Sequence, residues 1–150
     1  HGYDAGKKIN GRKRHILVDT LGLLLTVVVH SAAIQDRDGA KLVFFKAAAL
    51  FPTISLVWAD GGYAGKLVDW LSRWCHWVLE IVRKLGDQVG FQILPKRWIV
   101  ERTFAWLGHY RRLSKDYEEL CENSEAMIQI AMIQLMLHRL CRLPCPQNRR

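Results

Sequence analysis

Two acidic residues stand where a carboxylate could do chemistry. Asp60 closes the apolar run 54–59 and is followed at once by Gly61 and Gly62. The end of a covered strand is where an α/β protein presents functional side chains, and paired glycines let a ligand backbone come close. Asp-Gly is equally an ordinary turn dipeptide. Glu101 is the only acid from Lys96 to Lys115, a window that holds six basic residues. On a helix, Arg97, Glu101, Ala105, Gly108 and Arg112 share one stripe, with Ile99, Val100, Thr103, Phe104 and Leu107 on the core-facing side. Such a stripe is either a solvated, ion-paired face or a carboxylate held for a metal with arginines clamping phosphates. The residue types alone leave both open.

The elements that must position these acids follow from hydrophobic periodicity. Residues 1–14 are rich in glycine and lysine and are expected to form an exposed basic loop leading into a strand. Residues 15–20 and 23–31 are β-branched and apolar, and the Thr20-Leu21-Gly22 joint between them predicts a hairpin. Leu23 to Val29 do not alternate, so that strand should be covered on both faces. Asp38 is expected to cap a helix over 39–50 that Phe51-Pro52 stops. A strand over 54–59 leads to Asp60, and a helix over 66–74 presents Leu67, Trp70, Leu71 and Trp74 on one face. An alternating strand follows over 77–83. After a polar loop over 84–90 and a brief extended piece over 91–94, Pro95 should open a helix over 96–112. A last helix is expected from Asn123 or Ser124 to about Arg142, with Glu125 at its positive end. The order β-β-α-β-α-β-α-α predicts an α/β fold: one mixed sheet with helices packed on it.

Composition bounds the rest. The 150 residues carry 22 Lys+Arg against 14 Asp+Glu, a net charge of +8, and half are hydrophobic. One domain of this size buries a real core, which excludes disordered, collagen-like and disulfide-stapled classes. The positive balance points to a polyanion, nucleic acid ahead of an acidic membrane surface. Cys75, Cys121, Cys141 and Cys145 lack zinc-like spacing and read as reduced thiols, while Met127, Met132 and Met136 read as core or subunit interface. His15, His30, His76, His109 and His138 are expected to be structural or surface residues. The apolar stretch 21–29 is far short of a membrane span. The sequence opens at His1 without an initiator Met, so a further upstream segment is expected.

Several strings taken together resemble a known family: Gly-Tyr-Asp-Ala-Gly-Lys-Lys (2–8), Gly-Arg-Lys-Arg-His-Ile-Leu-Val-Asp-Thr (11–20), Ala-Asp-Gly-Gly-Tyr (59–63), Val-Glu-Arg-Thr-Phe-Ala-Trp-Leu (100–107) and Tyr-Arg-Arg-Leu-Ser-Lys-Asp-Tyr-Glu (110–118). In this order, and through nearly the whole chain, they are similar to bacterial insertion-sequence transposases of the DDE type, in the insertion-sequence four and five group. The resemblance implies an RNase H-like catalytic core, over 1–143 with a tail at 144–150. It implies metal-dependent cleavage of transposon ends and their transfer to target DNA. Three carboxylates in that family bind two divalent ions, usually magnesium, for two-metal catalysis. Asp60 matches the second acid, Glu101 the third, and Arg97 the arginine of the Tyr-x2-Arg-x3-Glu-x6-Lys signature. Leu94 and Gly108 stand where that signature has Tyr and Lys. The family's first Asp belongs to a strand upstream of His1, so the core is expected to lack its first strand, and Asp19 reads as a neighbouring-strand residue.

Two basic clusters fit contacts with the phosphate backbone. Lys7, Lys8, Arg12, Lys13 and Arg14 form one; Arg97, Arg102, Arg111, Arg112 and Lys115, with Trp98, Trp106 and Tyr110 interleaved, form the other. The expected partners are DNA, at transposon ends and target, and a second copy in a homodimer, with no membrane partner and a cytoplasmic, nucleoid-associated location in a bacterium. A truncated transposase core needing magnesium and a non-catalytic DNA-binding remnant both remain open, separated by metal dependence.

Overall fold

A long β-hairpin forms the spine of the molecule. The computed structural model describes residues 2–6, 8–82, 96 and 98–141. Strand β1 (Gly2–Asp4) pairs antiparallel with the start of β2 (Ile9–Val18), and β2 pairs antiparallel with β3 (Leu24–Ser31) from Arg12↔Ser31 to Val18↔Leu24. The turn between β2 and β3 is built by Asp19, whose Oδ1 accepts from the backbone N–H groups of Leu21 and Leu23 (2.9 and 2.8 Å). Gly22 completes it with φ +81°, a conformation that favours glycine. Residues 9–14 therefore lie in a strand, where the sequence predicts an exposed loop. The ladders to β1 (residues 9–11) and β3 (from residue 12) order them, and Arg12 and Arg14 find acceptors around 113–119 on the far side of the fold.

Helix α1 (Asp36–Leu50) begins three residues before the predicted start; Gln35 stands at its cap without a side-chain bond, and Asp36 and Asp38 both occupy the first turn. Strand β4 (Leu56–Ala59) pairs in parallel with β5 (Val78–Ile81) through α2 (Lys66–Cys75). Within β5, Leu79 is buried and Val78 and Glu80 are exposed, the alternation expected. On α2, Leu67 and Leu71 are buried, whereas Trp74, assigned to the same face from its spacing, is 71% exposed, one residue before the helix ends.

The helix predicted over 96–112 is divided. Helix α3 spans Trp98–Gly108, and a separate 3₁₀ turn spans Arg111–Leu113, so Arg112 leaves the stripe shared by Glu101. The last helix, α4 (Cys121–Cys141), starts before the predicted point and places Glu125 in its second turn. There Glu125 accepts from Val29 N (2.9 Å) and pairs with Lys46 (2.9 Å), tying β3, α1 and α4 together. Strand β3 is covered by α1 on one side and α4 on the other.

The interior has two parts. Phe44, Ala47, Val57, Leu67, Leu71, Trp77 and Leu79 form a core between α1, α2 and the β4–β5 pair. Val27, Val29, Leu107, Leu113, Ile128, Ala131 and Met132 form another beneath α3 and α4. The class is α/β as expected, but the strands make two sheets, β1-β2-β3 and β4-β5. Residues 12–18 of β2 have β3 on one edge and no strand on the other among the described residues; β4 likewise pairs only with β5. No described helix is long and apolar enough to cross a membrane. The predicted loop 84–90, the extended piece 91–94, Arg97 and the 144–150 tail lie outside the described residues.

Candidate active site

Asp60 follows the last residue of β4 and caps a 3₁₀ turn (Gly61–Tyr63), its Oδ1 accepting from Gly62 N at 2.9 Å. The turn chemistry and the site are thus one feature: the bond that makes the Asp-Gly-Gly turn also fixes the carboxylate at the strand end. Glu101 lies in the first turn of α3, and both carboxyl groups are exposed.

Helix α3 is held in place at two points. Thr103, fully buried, donates to the carbonyl of Gly22 at 2.8 Å, and Arg102 donates to that of Leu21 at 2.8 Å, which ties the helix to the β2–β3 turn. Ahead of the helix, the Lys96 ammonium lies 4.3 Å from the centre of the Trp58 ring and 3.8 Å from Glu80, while Trp58 Nε1 donates to Glu80 at 2.8 Å. Lys96 therefore holds the approach to α3 against the β4–β5 pair.

The result is a cavity of about 640 Å³ between the two sheets. Leu17, Val18 and Asp19 line it from β2 and its turn, and Val57 to Asp60 from β4. Phe44 lines it from α1, and Glu101 and Phe104 from α3. Asp60 and Glu101 border the same space. Phe104, assigned to the core from its spacing, is 40% exposed because it faces this opening. Asp19 also borders it, with its Oδ1 engaged in the hairpin turn. A second, more polar hollow of about 560 Å³ adjoins and shares Arg14, His15, Asp60 and Tyr63, adding Asp4, Asp36 and Lys115. Among the described residues no group of three or more His, Cys, Asp or Glu side chains is placed to hold one metal ion.

Tyr63 sits between the two spaces. Burial, with the nearby charges of Asp36 and Asp60, pushes its phenol up to about 12. Its hydroxyl meets His15 Nδ1 at 3.2 Å, and His15 stacks on His30 with centroids 4.8 Å apart. Tyr63 belongs to the Ala-Asp-Gly-Gly-Tyr string, and that adjacency to Asp60 was the available signal for it. Nothing local in the sequence announces Lys96 as the residue that ties α3 to Trp58 and Glu80.

The basic residues separate by what they touch. Arg12, whose side chain is 4% exposed, donates to the carbonyls of Glu118 (2.8 Å) and Glu119 and lies 3.5 Å from Asp116. Arg14 donates to the carbonyls of Leu113 and Lys115, and Lys13 pairs with Asp4 and Asp36. Arg102 is sandwiched between Trp98 (4.3 Å) and Trp106 (4.7 Å). Arg112 is exposed and pairs with Glu118 at 2.9 Å, while Lys8, Arg111 and Lys115 are exposed. Lys7 and Arg97 lie outside the described residues.

Comparison with known proteins converges on one family. The family model for the transposase DDE domain matches residues 1–136. A protein named as transposase for insertion sequence element IS402 of Burkholderia cepacia is 26% identical over 127 residues, which cover 80% of this chain and 60% of that protein. The chain thus spans about three fifths of the length of that curated relative. No solved structure matches. With its acids at a strand end and on a helix bordering one cavity, and with the family model spanning nearly all of its length, the chain belongs to the bacterial insertion-sequence DDE transposase family.

Proposed function

We propose that this chain forms the larger part of a metal-dependent transposase core, in which Asp60 and Glu101 act together on DNA. The observation that carries this reading is that the two carboxylates, from β4 and α3, border one cavity. Their chemistry suits magnesium, which takes hard oxygen donors and binds through one or two carboxylates while retaining several waters and substrate phosphates. Asp60 has no partner among the described residues other than Gly62 N. A bound ion would supply Lewis-acid polarisation of the phosphodiester. The chain's own residues do the rest: the Asp60 turn and the Thr103 and Lys96 anchors hold the carboxylates in place, and Lys8, Arg111, Arg112 and Lys115 offer exposed cations to phosphates.

The RNase H-like arrangement is part of the same proposal. The apolar space between β2 and β4, flanked by α1 and α3, is where one more strand would join the two sheets into a single mixed sheet, satisfying two rows of backbone donors and acceptors. A third carboxylate on such a strand would lie between Asp60 and the hairpin. On this reading the 150 residues bind DNA without transposing it. Cleavage of supercoiled plasmid in magnesium, with this chain and with a longer form carrying an Asp-bearing strand, is the test. The longer form should cut and join, and Asp60→Ala or Glu101→Gln should abolish that activity. A longer form whose cleavage survives both substitutions refutes the assignment.

A second reading rests on the net charge of +8 and the exposed Lys8, Arg111 and Lys115: a non-catalytic remnant that binds DNA through charge. Its signature is salt-sensitive binding that a chelator leaves intact, with no cleavage by the longer form.

A further inference from the structure

Strand β2 carries Arg12 and Arg14 two residues apart, which puts both on one face of the strand. Lys13, between them, belongs to the other face and pairs with Asp4 and Asp36. The two arginines meet a single stretch of chain 99 to 107 positions further on. Arg14 donates to the carbonyls of Leu113 (2.9 Å) and Lys115 (3.0 Å), and Arg12 to those of Glu118 (2.8 Å) and Glu119. Arg12 also lies 3.5 Å from Asp116, whose Oδ1 accepts from Ser124 Oγ at 3.1 Å.

Between the 3₁₀ turn at Arg111–Leu113 and the start of α4 the chain forms neither helix nor strand. Its carbonyls therefore depend on donors from elsewhere. A guanidinium is a planar fork that serves two carbonyls at a fixed spacing, whereas an ammonium is a point charge and does not. At 4% exposure the Arg12 side chain is turned to this task and away from solvent. The segment's own cation is presented instead: Lys115 is exposed and borders the polar hollow that Asp60 and Arg14 also line. Leu113, 6% exposed, fixes the near end of the segment in the core beneath α3 and α4.

We infer that Arg12 and Arg14 are positioning residues for DNA: they clamp the 113–119 segment by its carbonyls, so that Lys115 meets a backbone phosphate of a duplex lying at Asp60. The inference rests on the DNA-binding reading above, and it changes the role of two arginines that the sequence places among the phosphate contacts. Their forks act through the segment and touch no phosphate. A lysine in either place keeps the charge of the chain but cannot bridge two carbonyls, so Lys115 loses its fixed position.

The test is the fluorescence anisotropy of a mixed-sequence DNA duplex titrated with the 150-residue chain across a potassium chloride series. Arg14→Lys keeps the net charge of +8, yet should lower the slope of log affinity against log salt by about one, as Lys115→Ala does. In a Lys115→Ala background Arg14→Lys should change the slope no further, because both act through one contact. Arg12→Lys should behave as Arg14→Lys does, from the other end of the segment. Without DNA, amide exchange over 114–120 should quicken about tenfold in both lysine variants while β3 and α4 keep their protection. A parental slope in Arg14→Lys, or a loss that adds to that of Lys115→Ala, overturns the inference. So does unchanged exchange over 114–120 in both variants. A parent chain without salt-sensitive affinity for the duplex refutes the DNA-binding reading together with the inference; a parent that binds, with lysine variants that match it, refutes the clamp alone.

Discussion

Replacing Gly39 by alanine tests how tightly α1 is seated on the hairpin that carries the site. In a helix interior such a change ordinarily gains about 1 kcal/mol, because alanine loses less backbone freedom on folding. Here the added methyl would lie 2.1 Å from His30 Nε2 and 2.7 Å from His15 Nε2. Carbon contacts settle at roughly 3.5–4.0 Å, so a ring or the helix must move by about 1.4 Å. Neither ring swings freely. They are stacked at an interplanar angle of 17°, they are 6 and 9% exposed, and each Nδ1 is engaged, by the Ser31 carbonyl and by Tyr63. Overpacking of this kind costs roughly 1–3 kcal/mol, and the severity of the overlap places Gly39→Ala toward the upper end. The net loss should be about 2 kcal/mol, or a fall of about 4–8 °C in the unfolding midpoint for a chain of this size. Gly108→Ala, where nothing lies within 4 Å of the new methyl, should show no such fall. In a His30→Ala background the penalty of Gly39→Ala should drop by more than half, which a thermodynamic cycle measures directly. If Gly39→Ala leaves the midpoint unchanged or raises it, the histidine pair does not seat the helix and the packing argument fails.

Four further outcomes follow from contacts elsewhere. Thr103→Val keeps the shape but removes the donor to the Gly22 carbonyl, so it should cost about 1–3 kcal/mol in denaturant unfolding. Tyr63→Phe reports on pH. With its phenol raised to about 12 in the fold, Tyr63 contributes stability that is complete below its ordinary value near 10 and is lost as pH climbs toward 12, so the variant should lose less stability over that interval than the parent. Arg111→Ala and Lys115→Ala should each reduce the salt dependence of duplex DNA binding by about one phosphate contact. Arg12→Ala should instead lower the unfolding midpoint, because its guanidinium serves the carbonyls of Glu118 and Glu119.

The local chemistry of the candidate site was legible residue by residue. An apolar run ending in Asp-Gly-Gly makes a strand and a capped turn wherever it sits, since the carboxylate bonds to an N–H two residues on. The spacing of Thr103 and Leu107 marks the buried side of α3 for the same reason: helical periodicity is a short-range property. Membership of the transposase family was carried by strings of this local kind. The role of each cation was not. Arg12 and Lys8 stand in one basic cluster and look alike in sequence, yet one guanidinium is buried against residues more than a hundred positions away while the other side chain lies in solvent. The division of the 96–112 helix and the exposure of Phe104 and Trp74 likewise depend on what packs opposite each side chain.

What the sequence determined by itself is most of the elements, including the strand that ends before Asp60 and the helix that carries Glu101, and the family. What only the tertiary structure decided is that β2 and β4 face each other across an apolar gap with Asp60 and Glu101 on its walls, and that Arg12 and Arg14 turn to the 113–119 segment. Periodicity assigns a residue to a face of its own element, whereas the partner of that face is set by long-range packing, in which the most favourable burial available selects among acceptors and neighbours far apart along the chain.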